Sequence, residues 1–548
     1  MNLNSLKSSR MLAALAVAVV FTLVGAGVPA QAQTFTTLYN FNYTDGLNPR
    51  GALVQANNGL LYGTTGGDLV NSDGTIFEIT PGGTLTTITY FGGTVGEVPY
   101  AGMIQATNGN LYGTTDYGGT DGDGVVFEIT PSGTLTTLHS FVGTDGNEPV
   151  AGLIQATNGS FYGTTSIGGA YGYGTVFSIT ASGTLTVLHS FTGGVDGDNP
   201  YAGVIQGSDG NFYGTTFYGG AGYGVVFKIT PSGTMTTLYS FQFQDPNGGN
   251  PRGELVQGAN GDFYGTTYSY GANESGTIYK ITSTGTLTLV YPFCSQTACT
   301  DGGLPFAGLI LGSDGNFYGT TEGGGINGGN GTVFEITPTG TYTNLYSFTG
   351  SSGGSFPEGA LAQDTNGTFF GTTVSGGTGG TGTVFSLSTG LKAFARLAAT
   401  AGKEGAKIGI LGQGFAKSSV VKFGGTQATT VVRSGTTSLT ATVPSGALTG
   451  SVTVTTGKTI LTSSQTFKVT PTLTSFAPPS GPVGTSVTIT GTGLMQTTKV
   501  TFNKISATFA VVSDAEVTAT VPTGATTGKI AITTKGGSAT STTSFTVN

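Results

Sequence analysis

The chain has 548 residues, of which 97 are Gly, 19 basic and 27 acidic, giving 8% charge, against roughly 7% Gly and 25% charge in typical domains. No Gly-X-Y triplet recurs, which excludes collagen, and 10% aromatic residues with so little charge exclude an open, disordered chain. Gly and Thr are weak helix formers, so the composition points to an all-β protein of more than one domain. At the N-terminus, Lys7 and Arg10 precede an apolar run from Met11 to Val24, and Ala30-Gln31-Ala32 offers a small-x-small cleavage site. Residues 1–32 therefore read as a signal peptide, with an uncleaved membrane anchor as the rival reading. After its removal no segment is suited to cross a bilayer as a helix, and a secreted or cell-surface location is expected.

Repeats dominate the next 350 or so residues. Tyr-Gly-Thr-Thr begins at Tyr62, Tyr112, Tyr162, Tyr213, Tyr264 and Tyr318 and recurs as Phe-Gly-Thr-Thr at Phe370, at spacings of 50 to 54 residues. Each unit carries four β-type runs. In the third unit, Ala151 to Thr157 is largely apolar, Ser160 to Ser166 holds the Phe161-Tyr162 pair, Gly174 to Thr180 alternates, and Leu185 to Phe191 closes the unit. Asn158-Gly159 predicts a type I′ hairpin between the first two runs. Ala181-Ser182-Gly183 predicts a tight turn with Gly at positive φ between the last two. Four strands per repeat, seven times over, predict a seven-bladed β-propeller across residues 33–390.

The seventh unit has no fourth run, yet Phe35-Thr36-Thr37-Leu38-Tyr39-Asn40-Phe41 matches the fourth run of the second unit, Leu135 to Phe141. The N-terminal strand is therefore expected to close the last blade and remove a sheet edge; an open solenoid is the alternative. The blocks Gly-x-x-Tyr-Gly-Thr-Thr, Gly-Thr-Val-Phe-x-Ile-Thr and Thr-Leu-Thr-Thr-Leu-x-Ser-Phe resemble the GloVer-type tandem repeat of exported bacterial proteins, over roughly residues 34 to 390. The resemblance implies export and a propeller-like body, and it implies no reaction.

In an up-and-down blade, the uniform first-to-second and third-to-fourth turns share one face. The variable second-to-third and blade-to-blade loops share the other. Binding resides in loops carried on a rigid scaffold, so the variable face is the candidate surface. It carries Tyr117, Tyr171, Tyr173, Phe217, Tyr218, Tyr223, Tyr268 and Tyr270, aromatic faces suited to stacking on sugar rings; packing between blades is the competing role. Its acids Asp121, Asp123, Asp145, Glu148, Asp196 and Asp198 offer oxygen ligands of the kind calcium takes, although Asp-Gly is also an ordinary turn former. No other cofactor is expected. Cys294 and Cys299, in Cys-Ser-Gln-Thr-Ala-Cys, are expected to pair as a local disulfide in an exported chain.

No catalytic residue is assigned. His139 and His189 occupy one repeat position on outer strands, His-Glu-x-x-His and the phosphate-binding Gly-x-x-x-x-Gly-Lys are both absent, and Gly350-Ser351-Ser352-Gly353-Gly354 lacks the strand–turn–helix context of a nucleophile elbow. A carboxylate pair acting on glycosides needs no sequence motif and stays open.

After Leu391 two segments follow, 391–470 and 471–548. Gly405-Ala406-Lys407-Ile408-Gly409-Ile410 parallels Gly484-Thr485-Ser486-Val487-Thr488-Ile489, Val421-Lys422-Phe423 parallels Val500-Thr501-Phe502, and Val443-Pro444 parallels Val521-Pro522. Alternating strands with Gly/Pro turns predict two immunoglobulin-like β-sandwiches. Both resemble the IPT/TIG family, which implies spacer or binding modules. Pro471 and Pro478-Pro479 predict a short, stiff connection between them.

Charge divides unevenly. The repeats hold 4 basic and 24 acidic residues, a net of −20, and the tail 13 and 3, a net of +10. The acidic body disfavours nucleic acid as a partner. The basic tail could attract anionic surface polymer, fold back on the repeats, or simply stay solvated. The combined expectation is a monomeric, non-enzymatic exported protein that binds a glycan or surface protein through its variable face. A polysaccharide hydrolase or lyase and a purely structural envelope component are the alternatives.

Overall fold

In every repeat the Tyr-Gly-Thr-Thr block, Phe-Gly-Thr-Thr in the seventh, lies in a five-residue strand whose residues are all buried, and the third repeat shows what each letter does. Tyr162 stacks on Phe212 of the next sheet at 3.9 Å, while its hydroxyl accepts a hydrogen bond from Asn158 Nδ2 in the hairpin at 2.9 Å. A Cβ on Gly163 would meet Leu153 Cδ2 and Phe177 Cζ, both at 2.8 Å, so only glycine lets the flanking side chains close over the strand. Thr164 Oγ1 donates to the Ala202 carbonyl of the next sheet at 3.0 Å, and Thr165 Oγ1 joins Thr175 Oγ1 within the sheet at 2.9 Å. The motif is thus half strand and half inter-sheet fastener.

The computed structural model describes residues 33–67 and 73–548; the expected signal peptide lies outside them. The described chain is all-β apart from two short 3-10 turns, Gly93–Val95 and Thr297–Cys299. Its first part is a succession of four-stranded antiparallel sheets, β-propeller-like repeats. The third runs Ile154–Gln155, Phe161–Thr165, Thr175–Ile179 and Leu185–Ser190. The first strand is shorter than its apolar run suggests, because Leu153 and Ala156 turn inward as core residues on either side of it.

The hairpin differs from the expected type I′ turn, which needs positive φ at both central residues. Gly159 has φ 88° while Asn158 is not left-handed, and Gly159 N–H bonds the Ala156 carbonyl at 2.9 Å. Thr157 is therefore part of the turn, and its N–H is held by Gln206 Oε1 of the next sheet at 3.0 Å. A neighbouring sheet selects the longer turn. Between the last two strands Gly183 has φ 87° and bonds back to Thr180, the tight turn the local residues call for.

Core residues lie between adjacent sheets. Tyr162, Val176 and Phe191 pack with Phe212, Val225, Phe227 and Ile229 of the next. The same packing joins Phe370 and Val384 to Phe41, Leu53, Leu61 and Phe77. Thr34–Asn40 pairs antiparallel with Thr383–Ser388 of the seventh repeat, Phe35 opposite Leu387.

Two sandwiches follow. One joins the sheet of Arg396–Leu397, Lys407–Leu411, Ser438–Thr442 and Val431–Ser434 to a five-stranded sheet containing Thr459–Val469, Gly450–Thr456 and Val420–Phe423. The other repeats that strand order from Thr472–Ala477 to Gly537–Val547. Pro478 and Pro479 fall after the first strand of the second sandwich, not in the connection, which is confined to Thr470-Pro471. There Thr470 N–H bonds the Gly402 carbonyl at 3.0 Å.

The first sandwich rests on the hairpin end of the repeats. Phe394 N–H bonds the Thr365 carbonyl at 2.9 Å, Gln413 Nε2 donates to Thr365 Oγ1 at 3.0 Å, and Arg396 donates to the Gln363 carbonyl. Thr437 Oγ1 reaches the Asn57 carbonyl at 3.3 Å. A cavity of about 290 Å³ lies between Gln55, Leu311 and Gln363 of the inner strands, with Phe394, Arg396 and Gln465 of the sandwich as its other wall. The ion pairs among the described residues all lie within the repeats, so hydrogen bonds, and not paired charges, hold this contact.

Candidate functional site

At the end opposite the hairpins every repeat builds the same backbone cradle around a proline. The residue before it, Asn48, Val98, Glu148, Asn199, Asn250, Leu304 or Phe356, is left-handed, with φ between 52° and 57°. This conformation is costly for a residue with a side chain and persists only where neighbours over-determine it. Two hydrogen bonds do so. In the second repeat Val98 N–H bonds the Asp73 carbonyl at 2.8 Å, and its own carbonyl accepts from Asp116 N–H at 3.1 Å. The cradle presents two side chains per repeat at the inner end of each sheet. The residues after the proline are Arg50, Tyr100, Val150, Tyr201, Arg252, Phe306 and Glu358. Those after Thr-Thr are Gly66, Asp116, Ser166, Phe217, Tyr268, Glu322 and Val374.

These positions converge. The Arg50 guanidinium lies over Tyr100 at 4.7 Å, and its Nε is 3.4 Å from Glu358 Oε2 without hydrogen-bond alignment, so both buried atoms lack a hydrogen-bond partner. Arg252 packs over Phe306 at 3.7 Å, Tyr201 at 5.1 Å and Phe217 at 6.0 Å. Burial pulls its pKa down, against the pull of Glu358, Tyr201 and Tyr268. Tyr268 donates its hydroxyl hydrogen to Glu322 Oε2 at 3.1 Å.

Asp116 is buried, its Oδ1 has no partner, and burial first and Glu148 second push its carboxyl up to about 7, with Arg50 opposing. Burial also raises Glu358, with Arg50 opposing and Glu322 adding to the rise. Deeper by two positions, Glu254 occupies a place that is Ala or Gly in the other repeats. Solvent reaches its side chain, yet protein encloses it, with Oε1 close to the Gly203 and Gly152 backbones. Enclosure raises its carboxyl to about 7, opposed by the Gly203 N–H. The cluster offers hydrogen-bond donors, protonatable carboxyls and aromatic faces side by side.

Of the aromatic residues singled out by sequence, Phe217 and Tyr268 belong to this cluster. Tyr117 borders it: burial raises its hydroxyl pKa, with Asp116, Glu148 and Tyr100 adding to the rise. Tyr218 packs edge-on against Phe217 at 4.7 Å. Tyr223 and Tyr270 form a separate group with Phe243, and Tyr171 and Tyr173 stand exposed outside both.

The acidic residues do not assemble. Asp145 and Asp196 hold the outer-strand histidines, Asp145 Oδ2 to His139 Nε2 at 3.0 Å and Asp196 Oδ2 to His189 Nε2 at 2.9 Å. Tyr239 OH to Asp245, at 2.7 Å, makes the same link in another repeat, so the histidines are structural. Burial would raise the Asp196 carboxyl, but hydrogen bonds from Thr192 and His189 outweigh it and lower its pKa. Asp121 and Asp123 lie on the second repeat's outer loop, Glu148 accepts from Ser166 Oγ at 3.4 Å, and Asp198 keeps one buried oxygen unpartnered. Among the described residues no three His, Cys, Asp or Glu side chains are grouped to hold a metal ion. Cys294 and Cys299 are joined as a disulfide.

Sequence reasoning missed Arg50, Tyr100, Asp116, Tyr201, Arg252, Glu254, Phe306, Glu322 and Glu358. The signal that could have found them is columnar. With the seven repeats in register, the residue after an unvarying proline ranges from Arg to Glu.

The Gloeobacter/Verrucomicrobia repeat profile matches residues 19–164, 100–312, 150–385 and 221–444, and the IPT/TIG domain profile matches 471–547. No curated protein matches the chain in sequence. Solved structures similar to it include the extracellular domain of a hybrid two-component system from B. thetaiotaomicron, at 10% identity over 93% of this chain and 73% of that one, TM-score 0.45. A fungal alcohol oxidase of the AA5 family in complex with copper shares 12% identity over 94% and 99%, TM-score 0.43. A protein described as a 6-phosphogluconolactonase from Bacteroides uniformis shares 18% over 57% and 88%, TM-score 0.38. Likenesses this distant say nothing about this chain's chemistry. No helix among the described residues is long and apolar enough to cross a membrane.

Proposed function

This chain belongs to the Gloeobacter/Verrucomicrobia repeat family, and from that premise we propose that it is an exported binding protein whose seven repeat sheets are the blades of a closed propeller. In this reading residues 1–32 are a signal peptide, 33–390 the propeller, and 391–470 and 471–548 two IPT/TIG-type sandwiches serving as spacer or surface attachment. Closure is supported by likeness of contact, since the last sheet meets the first as its neighbours meet each other. Thr372 Oγ1 donates to the Gly51 carbonyl at 3.4 Å, and Thr365 N–H bonds Gln55 Oε1 at 3.2 Å.

One observation carries the binding role: in one cluster Asp116 Oδ1 is buried without a partner, and Arg50 Nε and Glu358 Oε2, paired only by charge at 3.4 Å, are buried without a hydrogen bond. Such groups are costly to leave unmade unless a ligand completes them. A glycan suits them, because a hydroxyl donates to a carboxylate and accepts from a guanidinium while the C–H face of the ring packs on Tyr100, Tyr201 and Phe306. Glycan-array and calorimetric screening of the mature protein should find a ligand whose affinity falls about thirtyfold or more in Arg252→Ala. An absence of ligand, or a ligand indifferent to Arg50, Asp116 and Arg252, would overturn this reading.

The carboxyl pair Asp116 and Glu148 favours a second reading, a polysaccharide hydrolase or lyase. Asp116, with its pKa near 7, would serve as the acid and Glu148 as its carboxylate partner. Turnover on a polysaccharide panel, lost in Asp116→Asn and Glu148→Gln, would establish it, and a blank panel would sink it.

A further inference from the structure

Outside the inner cluster, Tyr223, Phe243 and Tyr270 form an aromatic group whose ring centroids are 4.9 to 6.1 Å apart. Phe243 is 64% exposed, a large apolar side chain left in water. Tyr270 is more telling. In other repeats its position is Gly118, Gly168, Gly219, Gly324 and Gly376, each at positive φ, and Tyr270 takes the same left-handed backbone at φ 61°. An aromatic side chain in that conformation is strained where glycine is not. The opposing residue makes room for it. Gly249 stands, like Gly303 in the next repeat, where the others have Leu47, Glu97, Asn147, Asp198 and Ser355, and a Cβ there would meet Tyr270 Cδ2 at 2.8 Å and Tyr223 Cβ at 3.4 Å. The ring is held in a costly pose with matching space, which packing alone does not require.

The group is continuous with the inner cluster. Tyr218, itself 45% exposed, lies beside Phe217 at 4.7 Å; Phe217 meets Tyr201 at 5.3 Å, and Tyr201 lies against Arg252. On the outer side Asn250, two residues before Arg252, ties the two groups together: its N–H bonds the Tyr223 carbonyl at 2.8 Å and its Nδ2 donates to the Phe217 carbonyl at 2.9 Å. Aromatic faces therefore lead from the Arg252 cluster outward to Phe243.

We propose that this track binds an extended, neutral polysaccharide chain, one end held in the inner cluster and the following sugars laid over Tyr218, Tyr270, Tyr223 and Phe243. The proposal rests on the binding role assigned to the inner cluster. Length follows from the spread of these rings over the corresponding loops of two successive repeats, Tyr218 and Tyr223 in one and Tyr270 in the next. Neutrality follows from charge: the repeats carry a net of −20, the outer group has no cation among its rings, and Arg50 and Arg252 already face carboxylates. A polyanion is repelled before contact, whereas a neutral sugar face needs only the rings and nearby hydroxyl partners.

The test uses the full mature chain with oligosaccharide ladders of one to eight units from cellulose, laminarin, xylan and mannan, and polygalacturonate as the charged control, read by calorimetry. On one neutral ladder the affinity should rise about tenfold or more with length. Tyr270→Gly, the residue native to equivalent repeats, and Phe243→Ser should each remove most of that rise and leave the shortest bound oligomer unaffected. Arg252→Ala should weaken short and long oligomers alike. Short-oligomer binding that depends on Arg252 without a length effect would overturn the track and spare the inner site. Length-dependent binding indifferent to Tyr270 and Phe243 would also overturn the track. Binding indifferent to Arg252, or no neutral ladder bound at all, would overturn both, and preference for polygalacturonate would overturn the neutral assignment.

Discussion

The two ends of the repeat sheets are built by opposite rules. At the hairpin end the same residues do the same work in most repeats: a glutamine of one sheet holds the turn of another, as Gln155 holds Thr107 and Gln206 holds Thr157. The first sandwich then covers part of that end. At the other end only the backbone is uniform, and the side chains it presents run through Arg, Tyr, Val, Phe and Glu. Repetition of side chains marks a structural task, and repetition of backbone under changing side chains suits the binding role proposed for that end. The sandwiches sharpen the contrast, since their surfaces carry most of the basic charge yet meet the acidic repeats through amides, hydroxyls and one guanidinium on a carbonyl.

Four measurements test that division. The largest effect belongs to the uniform part. Phe177, fully buried over Gly163, should cost about 3–5 kcal/mol when replaced by Ala, read by chemical denaturation. Glycan affinity should change little, because Phe177 does not line the inner cluster. Arg252→Ala should do the reverse, with a binding loss of about 2 kcal/mol or more by calorimetry and a smaller change in stability.

Asp116→Asn tests the cost of the variable end through pH. The folded carboxyl holds its proton up to about 7 and the unfolded one only to 3.8. Between those values the folded state binds more protons, so Asp116 makes stability fall as pH rises, levelling off above the folded pKa. Thermal melts between pH 4 and 8 should show a shallower fall in Asp116→Asn, the difference being roughly 3–4 kcal/mol across the window. A variant parallel to the wild type would mean that the carboxyl is solvated and the cluster open. The smallest effect is expected at the sandwich contact. Thr437→Ala removes one exposed hydrogen bond to Asn57 and should lower stability by less than about 1 kcal/mol, with little dependence on salt.

Much of the fold was legible because it is local. Alternation in Thr175–Ile179, the Gly at 183 and the match of residues 35–41 to Leu135–Phe141 are properties of short segments, and a period near 50 residues multiplied each signal seven times. The type of the Asn158-Gly159 turn is not legible locally, because Gln206 of another sheet holds Thr157 within it. The place of Pro478 and Pro479 is not legible either, because a boundary between sandwiches and a bend within one look alike in composition. Most of the inner cluster was invisible for a stronger reason. Arg50, Asp116, Arg252 and Glu358 are separated by 66 to 308 residues in the chain, and no local pattern links them.

By itself the sequence determined the strand period, the repeat, the family and the unequal charge of the two regions, since these depend only on residue type and spacing. Tertiary structure decided which columns of the repeat turn inward. A left-handed residue before each proline aims the side chain that follows the proline toward the partners of the other sheets, and that direction exists only once the sheets stand side by side.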